Sequence, residues 1–257
     1  MSINTSPKVA VITGAARGIG LAIAHRFHKE NYQVVILDYD KATIEQCKTL
    51  LKGKRRYTFL LCDVSNPKQV QTVFEKIKAK FTRIDALVNN AGIAIFKKVE
   101  DISFQEWRDI MATNLDGTFL CSQAALPALL TAQGSIVNIA SISGVRASTL
   151  RVAYGTSKAA LMHLTKQYAV EYGNKGVRVN AVAPGPVETE MAKLVHSADI
   201  RTSYKDAIPL ARYGTVDEIA NVVYFLCSPQ ASYINGQIIA VDGGFDAAGV
   251  GLPSLRE

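Results

Sequence analysis

Seven short runs of aliphatic residues, separated by segments with helical periodicity, constrain the fold of this chain most strongly. Most runs are nearly continuous in Val, Ile, Leu and Ala, which is typical of parallel strands covered on both faces. We therefore predict an α/β fold, with a doubly wound parallel sheet of about seven strands and helices on both faces. The predicted strands are residues 8–13, 33–38, 57–62, 84–88, 135–140, 177–182 and 237–241, and helical spacing is clearest in residues 21–30, 41–52, 67–80 and 216–227.

The rest of the chain adds two longer helical patterns and one weak pattern. Residues 104–130 and 153–172 each predict a long helix. We find no linker, repeat or low-complexity run, so residues 1–257 are predicted to form a single domain. Residues 184–214 contain three prolines and only a short helical stretch at residues 189–196. A lid or substrate segment is predicted over about residues 187–212.

The net charge of +7 at pH 7 makes nucleic-acid binding the first function to weigh. Lysines and arginines cluster in residues 52–56 and 76–83, but no set of aromatic residues interleaves with them to form a base-stacking platform. Both clusters flank predicted strands, where solvated loops belong. We therefore expect no nucleic-acid partner.

Other composition signals exclude several classes of protein. The four cysteines lie far apart, and the histidines have no accompanying cysteine or carboxylate cluster, so neither a redox pair nor a metal site is predicted. No apolar run reaches the length of a membrane span, and residues 1–8 lack the apolar core of a signal peptide. We expect a soluble, cytoplasmic protein without a membrane partner.

A glycine-rich loop, Thr-Gly-Ala-Ala-Arg-Gly-Ile-Gly at residues 13–20, joins the first predicted strand to the first helix. Gly14, Gly18 and Gly20 allow a tight turn and a close approach of the backbone to phosphate. The helix N-terminus then offers free N–H groups and a positive dipole. A plain turn is the simpler interpretation, but the position after an apolar N-terminal strand favours a pyrophosphate site.

Two aspartates end predicted strands, and each has two interpretations. Asp38 can hydrogen-bond an adenosine ribose hydroxyl, or it can cap the helix that starts just after it. Asp63 can accept from an adenine amino group, or it can cap the helix after Pro67. The pattern favours the ribose role for Asp38. For Asp63 it favours neither the adenine contact nor the helix cap.

The most informative stretch is residues 141–158. Tyr154 and Lys158 are four apart in a predicted helix and share a face, while Ser141 follows a predicted strand at its carboxyl end. Ser141 would hold a substrate oxygen and Tyr154 would exchange its proton. Lys158, as a nearby cation, would lower the pKa of the tyrosine from about 10 toward neutrality. A Tyr and a Lys at this spacing are common by chance, so the placement beside Ser141 carries the argument.

In order and spacing, these elements resemble the short-chain dehydrogenase/reductase family across residues 8–244. The resemblance rests on the glycine loop, Asp63, Asn114, Ser141, Tyr154 with Lys158, Pro184 with Gly185 and Thr189, and on the sequences Asn-Asn-Ala-Gly at residues 89–92 and Val-Asp-Gly-Gly at residues 241–244. It implies a Rossmann-like fold and a dinucleotide-binding, catalytic domain.

The resemblance implies roles at the matched positions. Ser141, Tyr154 and Lys158 would be catalytic, with Lys158 also binding the nicotinamide ribose. Asn114 would complete a water-linked proton relay with Lys158, although it could instead be a packing residue in a helix kink. The implied cofactor contacts are Gly14, Arg17, Gly18, Ile19, Gly20, Asp38, Asp63, Val64, Asn90, Ala91, Gly92, Tyr154, Lys158, Pro184, Gly185, Val187 and Thr189.

The reaction implied is reversible hydride transfer between a secondary alcohol and a ketone, with a small-molecule substrate. Asp38 favours NAD, because its charge repels the 2′-phosphate of NADP, whereas Arg17 favours NADP. The alternatives are an isomerase, epimerase or dehydratase that uses bound nicotinamide, and a silent cofactor-binding regulatory protein on the same fold.

Substrate and assembly are less constrained. Sugars, sugar acids, hydroxyacyl thioesters, steroids and cyclic diols all remain open. The pocket is expected to be lined by Ile93, Ile95, Ser143, Val145, Arg146, Arg151 and residues 187–204, and the two arginines are either an anion site or solvated surface residues. Apolar surface on the helices predicted at residues 104–130 and 153–172, together with the resemblance, implies a homotetramer, with a dimer as the alternative.

Overall fold

The computed structural model describes residues 7–249, and the polar N-terminal residues 1–6 and residues 250–257 lie outside this range. Seven strands are present: β1 (Val9–Thr13), β2 (Gln33–Asp38), β3 (Tyr57–Leu61), β4 (Ala86–Asn89), β5 (Ser135–Ile139), β6 (Arg178–Pro184) and β7 (Ile238–Val241). All pair in parallel in one sheet, in the order β3-β2-β1-β4-β5-β6-β7. From β1 the chain first proceeds to β2 and β3 and then returns to β4 on the other side. The loops after β1 and β4 therefore flank the switch point where α/β sheets bind ligands.

Helices cover both faces of this sheet. They are α1 (Gly18–Lys29), α2 (Lys41–Leu50), α3 (Pro67–Lys80), α4 (Phe104–Met111), α5 (Gly117–Ala132), α6 (Ile142–Val145), α7 (Val152–Tyr172), α8 (Glu190–Val195), α9 (Ala198–Ala207) and α10 (Val216–Cys227). Phe27 of α1 and Val223 of α10 lie in the core on one face, whereas Phe74 of α3 and Leu129 of α5 lie in the core on the other. The doubly wound, Rossmann-like fold predicted from the aliphatic runs is confirmed.

The long helix predicted at residues 104–130 is interrupted by a π-helical turn, Ala112–Asp116, between α4 and α5. The wider turn rotates Asn114 inward, where it is fully buried. Its amide Nδ2 donates to the carbonyl of Ile93 and to Ser157 Oγ, both at 3.0 Å, and its Oδ1 accepts from the backbone N–H of Ile93 at 2.8 Å. Such turns are frequent at functional sites. This one orders the segment that follows β4.

The segment expected to be a lid contains more helix than its sequence indicated. After α8, the residues from Ala198 to Ala207 form α9, whose side chains are exposed or only partly buried. Ser197 caps α9 by accepting from the backbone N–H of Ile200. The ion pair between Arg201 of α9 and Glu188 ties the helix to the chain that follows β6. Because α9 buries no continuous apolar face, hydrophobic periodicity did not reveal it.

Two further properties bear on the class of protein. Within residues 7–249, no helix combines the length and the apolar character needed to cross a bilayer. In the same range, no three His, Cys, Asp or Glu residues are arranged to hold a metal ion.

Candidate active site

The glycine loop is a tight turn between β1 and α1. Gly14 and Gly18 have φ of +59° and +57°, a region that favours glycine. A β-carbon on Gly14 would lie 2.9 Å from Cα of Ala91, so this glycine also permits close approach of the loop after β4. A β-carbon on Gly18 would meet nothing within 4 Å, so this glycine faces open space.

The loops after β1 and β4 are joined by hydrogen bonds. Asn90 Nδ2 donates to the carbonyls of Thr13 at 3.0 Å and Gly14 at 2.8 Å. Thr13 Oγ1 accepts from the backbone N–H groups of Asn90 and Ala91, both at 3.0 Å. Asn90 therefore holds the glycine loop in place. The sequence analysis assigned it only a cofactor contact.

Asp38 ends β2 and is buried beside the same loop, with 6% of its surface exposed. Its Oδ2 accepts from the backbone N–H of Ala16 at 3.1 Å, and its Oδ1 accepts from that of Asp40 at 3.3 Å. The residue that caps α2 is Asp40, which accepts from the backbone N–H of Ala42. The helix-cap interpretation of Asp38 is therefore wrong, because the helix begins two residues later than that role requires.

Asp63 is not a helix cap either. Its Oδ1 accepts from the backbone N–H and the hydroxyl of Ser65, at 2.9 and 2.7 Å, in a local turn after β3. The cap of α3 is Asn66, whose Oδ1 accepts from the first-turn N–H groups. Val64 is buried against Gly117, at the start of α5.

Ser141, Tyr154 and Lys158 converge at the carboxyl end of β5. Ser141 follows the strand, caps the short helix α6 by accepting from the N–H of Ser143 at 3.1 Å, and hydrogen-bonds Tyr154. Tyr154 lies in the first turn of α7. One turn later, Lys158 places Nζ 5.8 Å from the centroid of the tyrosine ring. The shared helix face expected from the i, i+4 spacing is present.

Burial dominates the electrostatics of this trio. It raises the pKa of Tyr154, against the opposing effects of the Ser141 hydrogen bond and the charge of Arg151. It also lowers the pKa of Lys158 to about 8. The expectation that Lys158 lowers the tyrosine pKa toward neutrality is therefore wrong for the chain on its own, since both side chains lose solvation and the cation itself is weakened.

Lys158 also meets one further polar group, the amide of Asn114, at Gly92, which follows β4. A β-carbon on this glycine would lie 3.2 Å from Asn114 Oδ1 and 3.4 Å from Lys158 Nζ. Asn114 and Lys158 thus approach the same backbone position from two different helices. The described hydrogen bonds of Asn114 go to Ile93 and Ser157, so it also has the packing role that the sequence left open.

A cavity of about 250 Å³ connects these groups. Predicted residues on its wall are Ile19, Asn90, Gly92, Ile93, Ser141, Ser143, Arg151, Tyr154, Lys158, Pro184, Gly185, Val187, Thr189, Ala192, Val195, His196 and Tyr204. Ile95, Val145 and Arg146 were expected on the wall and are not part of it. Within residues 187–204, the side chains of Met191 and Leu194 lie outside the described part of the structure.

Phe96, Ser148 and Phe245 also line the cavity and were not expected there from the sequence. Of these three residues, Phe245 lies farthest along the chain from Ser141 and Tyr154. It reaches the pocket because Gly243 and Gly244 have φ of +68° and +88° and turn the chain back after β7. The two glycines immediately before this aromatic residue are the sequence feature that could have indicated such a turn toward the pocket.

Comparison with known proteins agrees with this geometry. A family model described as enoyl-(acyl carrier protein) reductase matches residues 14–246. The chain is 39% identical to the meso-2,3-butanediol dehydrogenase of Serratia marcescens, covering 94% of this chain and 95% of that protein. It is 39% identical to the 3-oxoacyl-(acyl-carrier-protein) reductase of Aquifex aeolicus, covering 95% and 99%. It is 36% identical to the NAD-dependent glycerol dehydrogenase of Listeria innocua, covering 94% and 95%.

Solved structures give the same result. The crystal structure of gox2181 superposes with a TM-score of 0.90 at 33% identity, covering 94% of this chain and 96% of that one. The structure of ElxO with NADP bound superposes with a TM-score of 0.88 at 32% identity, covering 94% of this chain and 100% of that one.

Proposed function

The chain belongs to the short-chain dehydrogenase/reductase family, and from that premise we propose that it interconverts a secondary alcohol and a ketone with a nicotinamide dinucleotide. The observation that carries the proposal is the convergence of Ser141, Tyr154 and Lys158 in one cavity at the carboxyl end of β5. Those three groups can orient an oxygen and move its proton. They lie beside a glycine loop suited to phosphate.

The glycine loop fits a dinucleotide. Gly18 opens α1 and faces free space, and Arg17 at the N-cap makes no side-chain capping bond, so the first N–H groups of the helix remain available to an anion. Residues 14–20 would hold the pyrophosphate. Asp38 would bind the adenosine ribose, while Asp63 and Val64 would meet the adenine. Residues 90–92 and 184–189, with Tyr154 and Lys158, would surround the nicotinamide and its ribose.

When bound, the nicotinamide supplies or accepts the hydride. Side chains of the protein bind the substrate oxygen and transfer its proton. Tyr154 takes the proton from the alcohol oxygen during oxidation and returns it during reduction, while Ser141 donates a hydrogen bond to that oxygen. The lid at about residues 187–212 would close over the bound substrate.

Asn114 and Lys158 would carry the proton onward through water. Their approach to Gly92 from two helices supports this relay. The buried hydrogen bonds of Asn114 with Ile93 and Ser157 would hold its side-chain amide in a fixed orientation.

The preferred cofactor is proposed to be NAD. Asp38 lies beside the glycine loop, where its charge would repel a 2′-phosphate. Arg17 opposes this preference: its charge contributes to lowering the pKa of Asp40, so the guanidinium lies near the end of β2. The relatives differ on this point, because the Listeria enzyme is named NAD-dependent and the ElxO structure holds NADP.

We further propose a cytoplasmic homotetramer. Phe104 at the start of α4 and Val170 near the end of α7 are 77% and 80% exposed, and a subunit interface formed by these helices would cover both side chains. All four cysteines are free and buried, as is usual in a reducing compartment.

The test is a scan of secondary alcohols and ketones with NAD and NADH, followed by the near-ultraviolet absorbance of reduced nicotinamide. Net change in that absorbance with at least one compound is expected. Substrate conversion without net change would point instead to an isomerase, epimerase or dehydratase. Cofactor binding without any conversion would favour a silent regulatory protein.

A further inference from the structure

Arg151 lies on the wall of the cavity, immediately before α7. Its Nη1 is 3.5 Å from Ser143 Oγ, its Nη2 is 3.4 Å from the Tyr204 hydroxyl, and its guanidinium carbon is 4.8 Å from the centroid of the Phe96 ring. All three neighbours line the same cavity. The guanidinium is therefore held against an aromatic face and beside the substrate space, with two long hydrogen bonds that leave most of its five donors unused.

In the described range 7–249, no carboxylate lies within ion-pair distance of Arg151. Arg83, Arg201 and Arg212 each have one, in Asp85, Glu188 and Glu218 respectively. A partly buried guanidinium without a counterion is costly to desolvate, and an anionic ligand would remove that cost.

The cavity wall carries only positive formal charge. Lys158 and Arg151 line it together with His196, and the residues that line it in the described part of the chain include no Asp or Glu. Glu188, which lies between the wall residues Val187 and Thr189, is paired with Arg201. An anion entering this space would meet two cations and no opposing carboxylate.

We propose that Arg151 binds a carboxylate of the substrate, so that the enzyme acts on a small hydroxy acid and the corresponding keto acid. This inference rests on the proposed function. In oxidation, the carbon bearing the hydroxyl loses a hydride to nicotinamide and the hydroxyl loses its proton to Tyr154. The carboxylate stays unchanged on Arg151. It serves to orient the reacting carbon.

The position of the guanidinium favours a short substrate. Arg151 Nη1 is 3.5 Å from Ser143 Oγ, and the backbone N–H of Ser143 donates to Ser141 Oγ at 3.1 Å, so a single residue joins the guanidinium to the serine that would hold the substrate oxygen. A carboxylate bound to Arg151 would therefore share one cavity of about 250 Å³ with an oxygen held by Ser141 and Tyr154. Because guanidinium is planar and stacked on Phe96, it presents a fixed edge for bidentate binding.

Arg146, five residues earlier, does not share this role. Its Nη1 donates to the carbonyl of Phe245 at 2.8 Å, and its guanidinium carbon lies 5.5 Å from the centroid of the Phe245 ring. These contacts hold Arg146 against Phe245, and Arg146 itself is not part of the cavity wall. The structure thus gives the two arginines different environments, which the sequence alone could not distinguish.

The experiment compares short hydroxy acids with their primary amides, which match them in size and lack the charge. Activity is measured for the wild type, Arg151→Met, Arg151→Lys and the control Arg55→Met, which removes an exposed cation between α2 and β3. We expect the wild type to prefer the carboxylate by about 10- to 100-fold in kcat/KM, the usual effect of a charge-assisted bidentate contact. Arg151→Met should lose that preference through KM, Arg151→Lys should retain part of it, and Arg55→Met should retain all of it.

Equal or better turnover of the amides by the wild type, or a carboxylate preference that survives Arg151→Met, would overturn the inference. A preference for phosphorylated alcohols that disappears in Arg151→Met would overturn the carboxylate assignment. If neither the hydroxy acids nor their amides are turned over while another alcohol of the scan is, this inference fails and the proposed function stands. If no alcohol or ketone of the scan is turned over at all, the proposed function fails, and calorimetric titration of the same hydroxy acids still tests the subsite. Binding that Arg151→Met abolishes supports it, and absence of binding to the wild type overturns it. Unchanged unfolding midpoints would show that the variants fold.

Discussion

Lys158 donates a hydrogen bond from Nζ to the backbone carbonyl of Ile139 at 2.7 Å. Ile139 ends β5, two residues before Ser141, and Lys158 lies one helical turn after Tyr154. The bond therefore joins the helix that carries the tyrosine to the strand that positions the serine. The lysine is 4% exposed, so the protein retains a nearly buried cation at this junction.

The first prediction concerns stability and pH at Lys158. Burial lowers the lysine pKa from 10.5 to about 8, so between these values the unfolded chain binds a proton that the folded chain does not. The free energy of unfolding of the wild type should therefore rise relative to that of Lys158→Met as pH increases through this window, by up to about 3 kcal/mol. Below the window, the wild type should bear the full cost of a buried, charged lysine. Denaturant unfolding of both proteins at several pH values measures this difference. A difference that stays constant across the window would contradict a depressed lysine pKa.

The second prediction concerns Asn114. Asn114→Ala should lower kcat by about tenfold or more if the side chain belongs to a proton relay, and should also destabilise the fold by about 2 kcal/mol because buried hydrogen bonds are lost. Ser157→Ala removes one hydrogen-bond partner of Asn114 and leaves the amide in place. Ser157→Ala should lower the free energy of unfolding by about 1 kcal/mol and leave kcat within about threefold of the wild-type value. Similar losses of kcat in both variants would mean that Asn114 acts only through packing.

The third prediction concerns the cofactor. Two unit charges about 5 Å apart repel by about 3 kcal/mol at an effective dielectric near 20, so Asp38 should favour NAD over NADP by tenfold or more in kcat/KM. Asp38→Asn retains an oxygen that can accept from Ala16 and removes the charge, so it should narrow the preference. Tyr39 is 64% exposed, and Tyr39→Arg should narrow the preference further. Equal turnover with NADP in the wild type would refute the role given to Asp38.

The fourth prediction concerns assembly. Sedimentation should give a tetramer for the wild type. Val170→Asp should weaken association, because it places a charge at an exposed apolar side chain of α7 that the proposed interface would cover. Lys52→Asp, on an exposed site after α2, is the control. A wild type that remains monomeric at all concentrations would exclude the proposed assembly.

The fold could be predicted because near-continuous aliphatic runs and amphipathic helices are local patterns. The predicted residues 33–38, 67–80 and 216–227 correspond to β2, α3 and α10 without a shift at either end. The convergence of Ser141, Tyr154 and Lys158 could be predicted for the same reason, since a strand end and one helical turn bring these residues together.

Other features depend on tertiary contacts that the sequence does not display. Arg146 and Arg151 belong to one short loop, yet Arg151 lines the cavity whereas Arg146 is held against Phe245 and is not part of the wall. Burial of Tyr154 reverses the pKa shift expected from a neighbouring lysine, because desolvation depends on everything packed around the ring. The π-helical turn at Asn114 has no marker in the hydrophobic pattern.

The central claim is that Tyr154 exchanges the substrate proton, and Tyr154→Phe tests it most directly. Tyr168→Phe is the matched control, because Tyr168 lies on the same helix, with its ring centroid 5.8 Å from that of Tyr172, and is not part of the cavity wall. With the best substrate from the scan, Tyr154→Phe should lose at least about 10²-fold in kcat while its dissociation constant for NADH stays within about threefold of the wild type, and Tyr168→Phe should retain full activity. A Tyr154→Phe enzyme with wild-type kcat would contradict the account.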